Sequence, residues 1–233
     1  NEELRRTINN RDKMYSVIAH DLRSPMASIR MVLNLVVQTV SPEAIGPEMF
    51  YLIDKANKET EETHDLLDNL LKWTKSQTGR LTVVFQEFDL GDIVPGVIDI
   101  FHMIAETKKI SLKLQPCSGI VVRADKDMLK TVIRNFLSNA IKFSNEGDDI
   151  DIIVSKEPDM AKISIRDHGV GISEERIAGL CGDGKTTYGT ANEEGSGLGL
   201  QLCKDFAEKN GGYVSVESQL GEGSTFSVFV PLV

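Results

Sequence analysis

Four polar stretches in the second half of the chain have residue types and spacings suited to chemistry. Within NFLSNAIKFS, Asn135 and Asn139 fall one helical turn apart and Lys142 follows. Two carboxamides at that spacing share a helix face and offer neutral oxygens to a hard cation that keeps several waters, which suits Mg²⁺ bound to phosphates. The lysine adds a positive point charge for the phosphates. The plainer reading of such a pair is a solvated helix face. In RDHGVGIS, Asp167 ends a strand-like run, and Gly169 and Gly171 let the backbone approach a ligand closely. An acceptor-only carboxylate there can take a hydrogen bond from an exocyclic amine such as that of adenine. A strand-end turn closed by an Asx-type bond accounts for the same residues equally well. GSGLGL, from Gly195 to Leu200, opens a helix. It lacks the preceding strand of a dinucleotide fingerprint and the Lys-Ser/Thr of a phosphate loop. What remains, across Gly195, Gly197, Leu198 and Gly199, is access of a phosphate to free N–H groups at a helix start. In GEGSTFSVFV, Thr225 enters the last strand, where it is placed to hold an adenine through a water.

A fifth stretch lies far upstream, in SVIAHDLRSPMASIR, Ser16 to Arg30. Leu4, Ile8, Arg11, Tyr15, Ile18 and Leu22 alternate steps of four and three, a heptad seam with one charged interruption. With Leu4 at d, His20 falls at f and faces away from a partner helix; taken alone it is a surface histidine. Pro25 costs a helix interior ~3 kcal/mol, and the apolar phase slips by about a residue after it, through Met26, Ile29, Leu33, Val36 and Val40.

These groups need elements to position them. SPEAIGP, Ser41 to Pro47, reads as a turn, and Met49, Leu52, Ile53, Ala56, Thr60, Thr63, Leu67, Leu70 and Trp73 form a second apolar stripe. Two amphipathic helices then make a hairpin whose exposed apolar face calls for a homodimeric four-helix bundle; packing on the C-terminal region is the alternative. After Gly79, seven short strand-like runs are interspersed with helical stretches near Ile93–Glu106, Lys126–Phe143 and Leu198–Asn210, without strict alternation. That pattern predicts a two-layer α+β sandwich. The glycine-rich segment between Ile172 and Gly197 reads as a lid.

Bulk properties narrow the function classes. A net charge of −9 with no basic stripe excludes a nucleic-acid surface, so an anionic ligand must be held locally. Cys117, Cys181 and Cys203 show no metal-ligand spacing and fit a reducing compartment. The densest apolar run, Met31 to Val37, is far too short to span a bilayer.

Taken together, HDLRSP, NxxxNAxK, DxGxG and GxGLGL in this order resemble the sensor histidine kinases, with an ATP-binding domain of the GHKL type. The resemblance covers essentially the whole chain. It implies a dimerisation and phosphoacceptor hairpin over residues 1–79 and an ATP-binding α+β sandwich over 80–233. It makes His20 the phosphoacceptor, its neutral Nε2 attacking while Asp21 bonds Nδ1–H. It places Asn139 on Mg²⁺, Asn135 and Lys142 on the phosphates of ATP, Asp167 on adenine and Phe143 over the base. Gly195, Gly197 and Gly199 frame the phosphates. The implied partners are a second copy of the chain and a response-regulator receiver domain, in the cytoplasm, with any membrane anchor upstream. Two departures stand out. Ser24 replaces the threonine often found four residues after the histidine, which bears on phosphatase activity. The lid shows Leu180, Cys181 and Tyr188 instead of a phenylalanine pair, with Lys185, the only basic residue of its loop CGDGKTTYGTANEEGSG (Cys181 to Gly197), as a γ-phosphate contact. A nucleotide-binding scaffold without kinase activity and another GHKL ATPase are the competing readings.

Overall fold

The computed structural model describes residues 22–77, 81–179 and 198–233. The chain divides into two compact units, Asn1–Thr82 and Val83–Val233.

The first unit is helical. Residues 22–39 (α1) run as a helix on both sides of Pro25. The expected turn contains a short helix of its own, α2 (Pro42–Ile45), followed by α3 (Pro47–Gln77). Two prolines explain the break: Pro42 opens α2, and Pro47 opens α3 directly after Gly46, which adopts φ 84°. Among the described residues of α3, Asn57, Thr60, His64, Leu67, Leu71 and Thr74 are buried, again in steps of three and four, and Ser76 is buried beside the end of that seam. This seam shares only Thr60 and Leu67 with the apolar stripe read from sequence. Leu67 and Leu71 pack with Met26 and Leu70. Polar pairs fill the rest: Arg23 bridges Asp68 (Nε–Oδ1 2.8 Å, Nη2–Oδ2 3.1 Å), Arg30 donates to His64 Nδ1 at 3.3 Å, and Asn57 donates to Asn34 at 2.9 Å. The apolar residues left over face outward, with Ile29, Met31, Val32, Leu35, Met49, Tyr51 and Leu52 all exposed.

The second unit is a two-layer α+β sandwich. Its elements are β1 (Gln86–Asp89), α4 (Leu90–Thr107), β2 (Ser111–Leu114), β3 (Val121–Ala124), α5 (Lys126–Phe143), β4 (Asp149–Lys156), β5 (Met160–Asp167), α6 (Glu174–Gly179), α7 (Leu198–Lys209), β6 (Tyr213–Gln219) and β7 (Gly223–Pro231). Five strands form a mixed sheet in the order β2-β4-β5-β7-β6, parallel only between β2 and β4; β1 and β3 form a separate antiparallel pair. Joining parallel β2 and β4 requires a crossover, and α5 supplies it. Strand alternation sends Ile150 and Ile152, Ile163 and Ile165, and Phe226 and Val228 inward. They meet the buried face of α5, where Phe136 lies 5.5 Å from Phe226 between ring centroids. Asp125 fixes where α5 starts: its side chain accepts from the N–H groups of Asp127 and Met128, both at 3.0 Å.

Candidate functional site

The buried face of α5 leaves its other side free for polar groups. Asn135, Asn139 and Lys142 recur at steps of four and three, and all three are half-buried. Asn135 Nδ2 donates to the Thr131 carbonyl at 2.9 Å, so its Oδ1 turns away from its own helix. That oxygen meets the first turn of α7, where a Cβ added to Gly199 would lie 2.6 Å from it. Leu198 and Gly199, 63 and 64 positions further along the chain, are thereby brought to Asn135. Beyond them, the Lys142 ammonium lies over the Phe143 ring, 5.5 Å from its centroid.

Asp167 occupies the last position of β5 and is 2% exposed. Its Oδ1 accepts from Gly169 N at 3.0 Å and Ser224 N at 3.1 Å; among the described residues no hydrogen bond reaches Oδ2. Burial pushes this carboxyl above the usual range, while the two backbone N–H groups pull the other way. The Asx-type turn therefore uses Oδ1 alone. The loop that follows is tied to α5, because Val170 N donates to the Phe143 carbonyl at 3.2 Å. The carboxylate and the asparagine–lysine face so belong to one connected site.

Residues 124–233 match the family described as histidine kinase-, DNA gyrase B- and HSP90-like ATPases. The chain is 31% identical over 238 residues to the adaptive-response sensory kinase SasA of Prochlorococcus marinus, an alignment spanning all of this chain and 60% of that protein. It is 28% identical over 216 residues to the sensor histidine kinase ZraS of Escherichia coli, spanning 92% of this chain and 44% of that one. Among solved structures, full-length ShkA in complex with AMPPNP shares the fold over 95% of this chain and 46% of its own (TM-score 0.71, 20% identity). The nucleotide-free catalytic domain of histidine kinase ThkA does so over 64% of this chain and 95% of its own (TM-score 0.55, 26% identity). Over its whole length this chain is similar to sensor histidine kinases.

The chain spans 60% or less of the two curated relatives named above. Among the described residues no helix is long and apolar enough to cross a membrane. His20, Asp21, Lys185, Gly195 and Gly197 lie outside the described residues, as do Leu180, Cys181 and Tyr188. Ser24 is exposed, and its carbonyl accepts from Ser28 Oγ at 3.2 Å.

Two expectations about this site change. Thr225 pairs with Arg166, so its side chain lies on the sheet face opposite Asp167; the residue paired with Asp167 is Ser224, which is 6% exposed. The inward run Phe226, Val228, Val230 already carried that information, since a period of two puts Ser224 on their side and Thr225 on the other. Gly169 and Gly171 admit a close approach of the chain's own backbone. A Cβ at Gly169 would sit 2.0 Å from the Phe143 carbonyl oxygen, and one at Gly171, whose φ is +66°, would sit 2.0 Å from that of Gln219. Only glycine closes the loop this tightly.

Proposed function

We propose that this chain is the catalytic and phosphoacceptor core of an ATP-dependent protein-histidine kinase, with residues 1–79 dimerising and bearing the acceptor and residues 80–233 binding nucleotide. The observation that carries this reading is the single connected site formed by buried Asp167 and the Asn135–Asn139–Lys142 face. Asp167 Oδ2 accepts the adenine amine, with Ser224 beside it, and Phe143 covers the base. The phosphates extend along α5, contacted by Asn135 and Lys142, towards the start of α7, where Gly195, Gly197, Leu198 and Gly199 offer backbone N–H groups and Lys185 meets the γ-phosphate.

The donor set suits Mg²⁺. Among the described residues no group of three or more His, Cys, Asp or Glu side chains is gathered to hold a metal, whereas Mg²⁺ binds through phosphate oxygens and waters with few protein ligands. Asn139 supplies that ligand, and bound Mg²⁺ neutralises phosphate charge. The protein's part is positioning and electrostatics. Neutral His20 attacks the γ-phosphorus through Nε2; the N–P bond forms as the bond to the β–γ bridging oxygen breaks, and ADP leaves. Asp21 holds the proton on Nδ1 as the ring gains positive charge.

The exposed apolar residues of α1 and α3 then cover one another in a homodimeric four-helix bundle. A response-regulator aspartate accepts the phosphoryl group from His20, and Ser24 keeps the hydroxyl needed for phosphatase activity. Incubation with γ-labelled ATP and Mg²⁺ tests this reading. Acid-labile, alkali-stable label on the protein, lost in His20→Gln and in Asn139→Ala, is expected. ATP hydrolysis without protein labelling refutes the acceptor assignment, and absence of both refutes the kinase.

A further inference from the structure

Helix α5 ends at Phe143, and the last carbonyls of a helix have no partner within it. Here each one is taken. The Ala140 carbonyl accepts from Ser144 N at 3.0 Å and Ser144 Oγ at 2.7 Å. The Phe143 carbonyl accepts from Val170 N. The two between them, of Ile141 and Lys142, both accept from one side chain on another element: Lys108 Nζ, at 3.1 and 3.2 Å. A positive charge at this point also opposes the negative end of the helix dipole.

Lys108 is itself held firmly. It follows the last turn of α4, where its N–H donates to the Ala105 carbonyl, and its own carbonyl accepts from Gly147 N at 3.1 Å. The next residue, Lys109, adopts φ 56°, the one left-handed non-glycine among the described residues, and pairs with Glu146 at 2.5 Å. The α4–β2 turn is thus tied to the α5–β4 loop by the Lys108 carbonyl and the Lys109–Glu146 pair, and to the end of α5 itself by the Lys108 ammonium.

We infer that Lys108 is a positioning residue of the nucleotide site: its ammonium fixes the last turn of α5, and so sets where Lys142 and Phe143 stand relative to the Gly169–Val170 loop. This rests on the nucleotide-binding reading above. The argument is geometric. Lys108 bonds the carbonyl of Lys142 itself, and the carbonyl after it anchors the loop that carries Asp167. Without the ammonium, two carbonyls at the end of a half-buried helix turn to water, the turn loosens, and the phosphate-binding lysine loses its fixed base. A lysine that only stabilised the fold would act on nucleotide binding independently of Lys142.

Calorimetric titration of the intact chain with AMPPNP and Mg²⁺ separates the two. Lys108→Met weakens binding roughly tenfold, Lys108→Arg restores most of the affinity, and adding Lys108→Met to Lys142→Met costs less than about a further twofold. Glu146→Ala, which removes the acceptor of the neighbouring Lys109 clasp without touching α5, leaves affinity unchanged. Should Lys108→Met not fold, Lys108→Gln, neutral and shorter, is expected to show the same fall and the same coupling. Wild-type affinity in Lys108→Met overturns the inference, as does an undiminished loss in the Lys142→Met background. A wild-type chain that binds no nucleotide overturns the parent reading instead.

Discussion

Asp167→Asn is the substitution that most directly probes the base pocket. Gly169 N and Ser224 N, at 3.0 and 3.1 Å, are donors, so they select the amide oxygen of the asparagine and turn its Nδ2 to where Oδ2 stood. A donor then faces the donor amine of adenine. A hydrogen bond to a charged group contributes about 1.5–3 kcal/mol, and about 1.4 kcal/mol corresponds to tenfold in affinity. Loss of that bond weakens ATP binding roughly ten- to 150-fold. Inosine triphosphate carries an acceptor oxygen at the same ring position, so its affinity rises in the variant. The fold changes little, because two opposing effects meet. The backbone bonds lose their charge assistance, while removal of a buried carboxylate relieves the desolvation that raises the Asp167 pKa. A net effect of about 1 kcal/mol or less shifts the melting temperature by only a few degrees. Calorimetry with non-hydrolysable analogues of both nucleotides, beside a thermal melt, reads all three quantities. Unchanged ATP affinity, or a parallel fall for both nucleotides, refutes the assignment of Oδ2 to the base.

Ser224→Ala weakens nucleotide binding several-fold, whereas Thr225→Val, on the opposite face of the sheet, leaves it unchanged; a reversal of that order in the same titration contradicts the strand register. Gly171→Ala destabilises the second unit by about 3 kcal/mol or more, from left-handed strain and overlap with the Gln219 carbonyl, measured by urea unfolding. Asp167 also predicts opposite pH dependences for binding and stability. Its folded pKa is raised, so as pH falls through that value towards the ordinary 3.8 the folded state takes up a proton first and this group contributes added stability, lost again as pH rises. Nucleotide affinity runs the other way, falling over the same window as the acceptor is protonated. Asp167→Asn abolishes both trends.

The parts of the site legible in the sequence obey a local rule. Asn135, Asn139 and Lys142 share a face because the helix period says so, and Asp167 stands at a strand end because an apolar alternation stops there. Thr225 went astray although the rule for it was equally local, since alternation back from Phe226 selects Ser224. The glycines carry a different kind of ambiguity. Sequence shows that something must come close to Gly169 and Gly171, and only the fold shows that it is the carbonyls of Phe143 and Gln219. Lys108 had no signal at all. It reads as one of two adjacent solvated lysines, and its acceptors are backbone atoms 33 and 34 residues away. In the hairpin, the apolar stripe concealed a seam whose first half is polar, because Asn57 and His64 are matched by Asn34 and Arg30 on the facing helix. A single stripe cannot reveal its partner's residues.

Apart from Asn135 and Asn139, which lie within α5, the site groups of the second unit stand at the ends of elements: Asp167 closes β5, Ser224 opens β7, Lys142 and Phe143 close α5, and Gly199 lies in the first turn of α7. The ends are precise because the middles are rigid. β5 and β7 pair through eight successive positions from Met160–Pro231 to Asp167–Ser224, with Ser164 and Ser227 hydrogen-bonded across the pair at 2.9 Å. α5 is locked against that sheet through Phe136 and Phe226. A ladder of that length cannot slip by one residue without sending Ile163, Ile165 and Val228 to the wrong face. The distance between Asp167 and the polar face of α5 is therefore fixed by the core. Only the short connections at that end, and the Lys108 clasp that trims one of them, remain to adjust it.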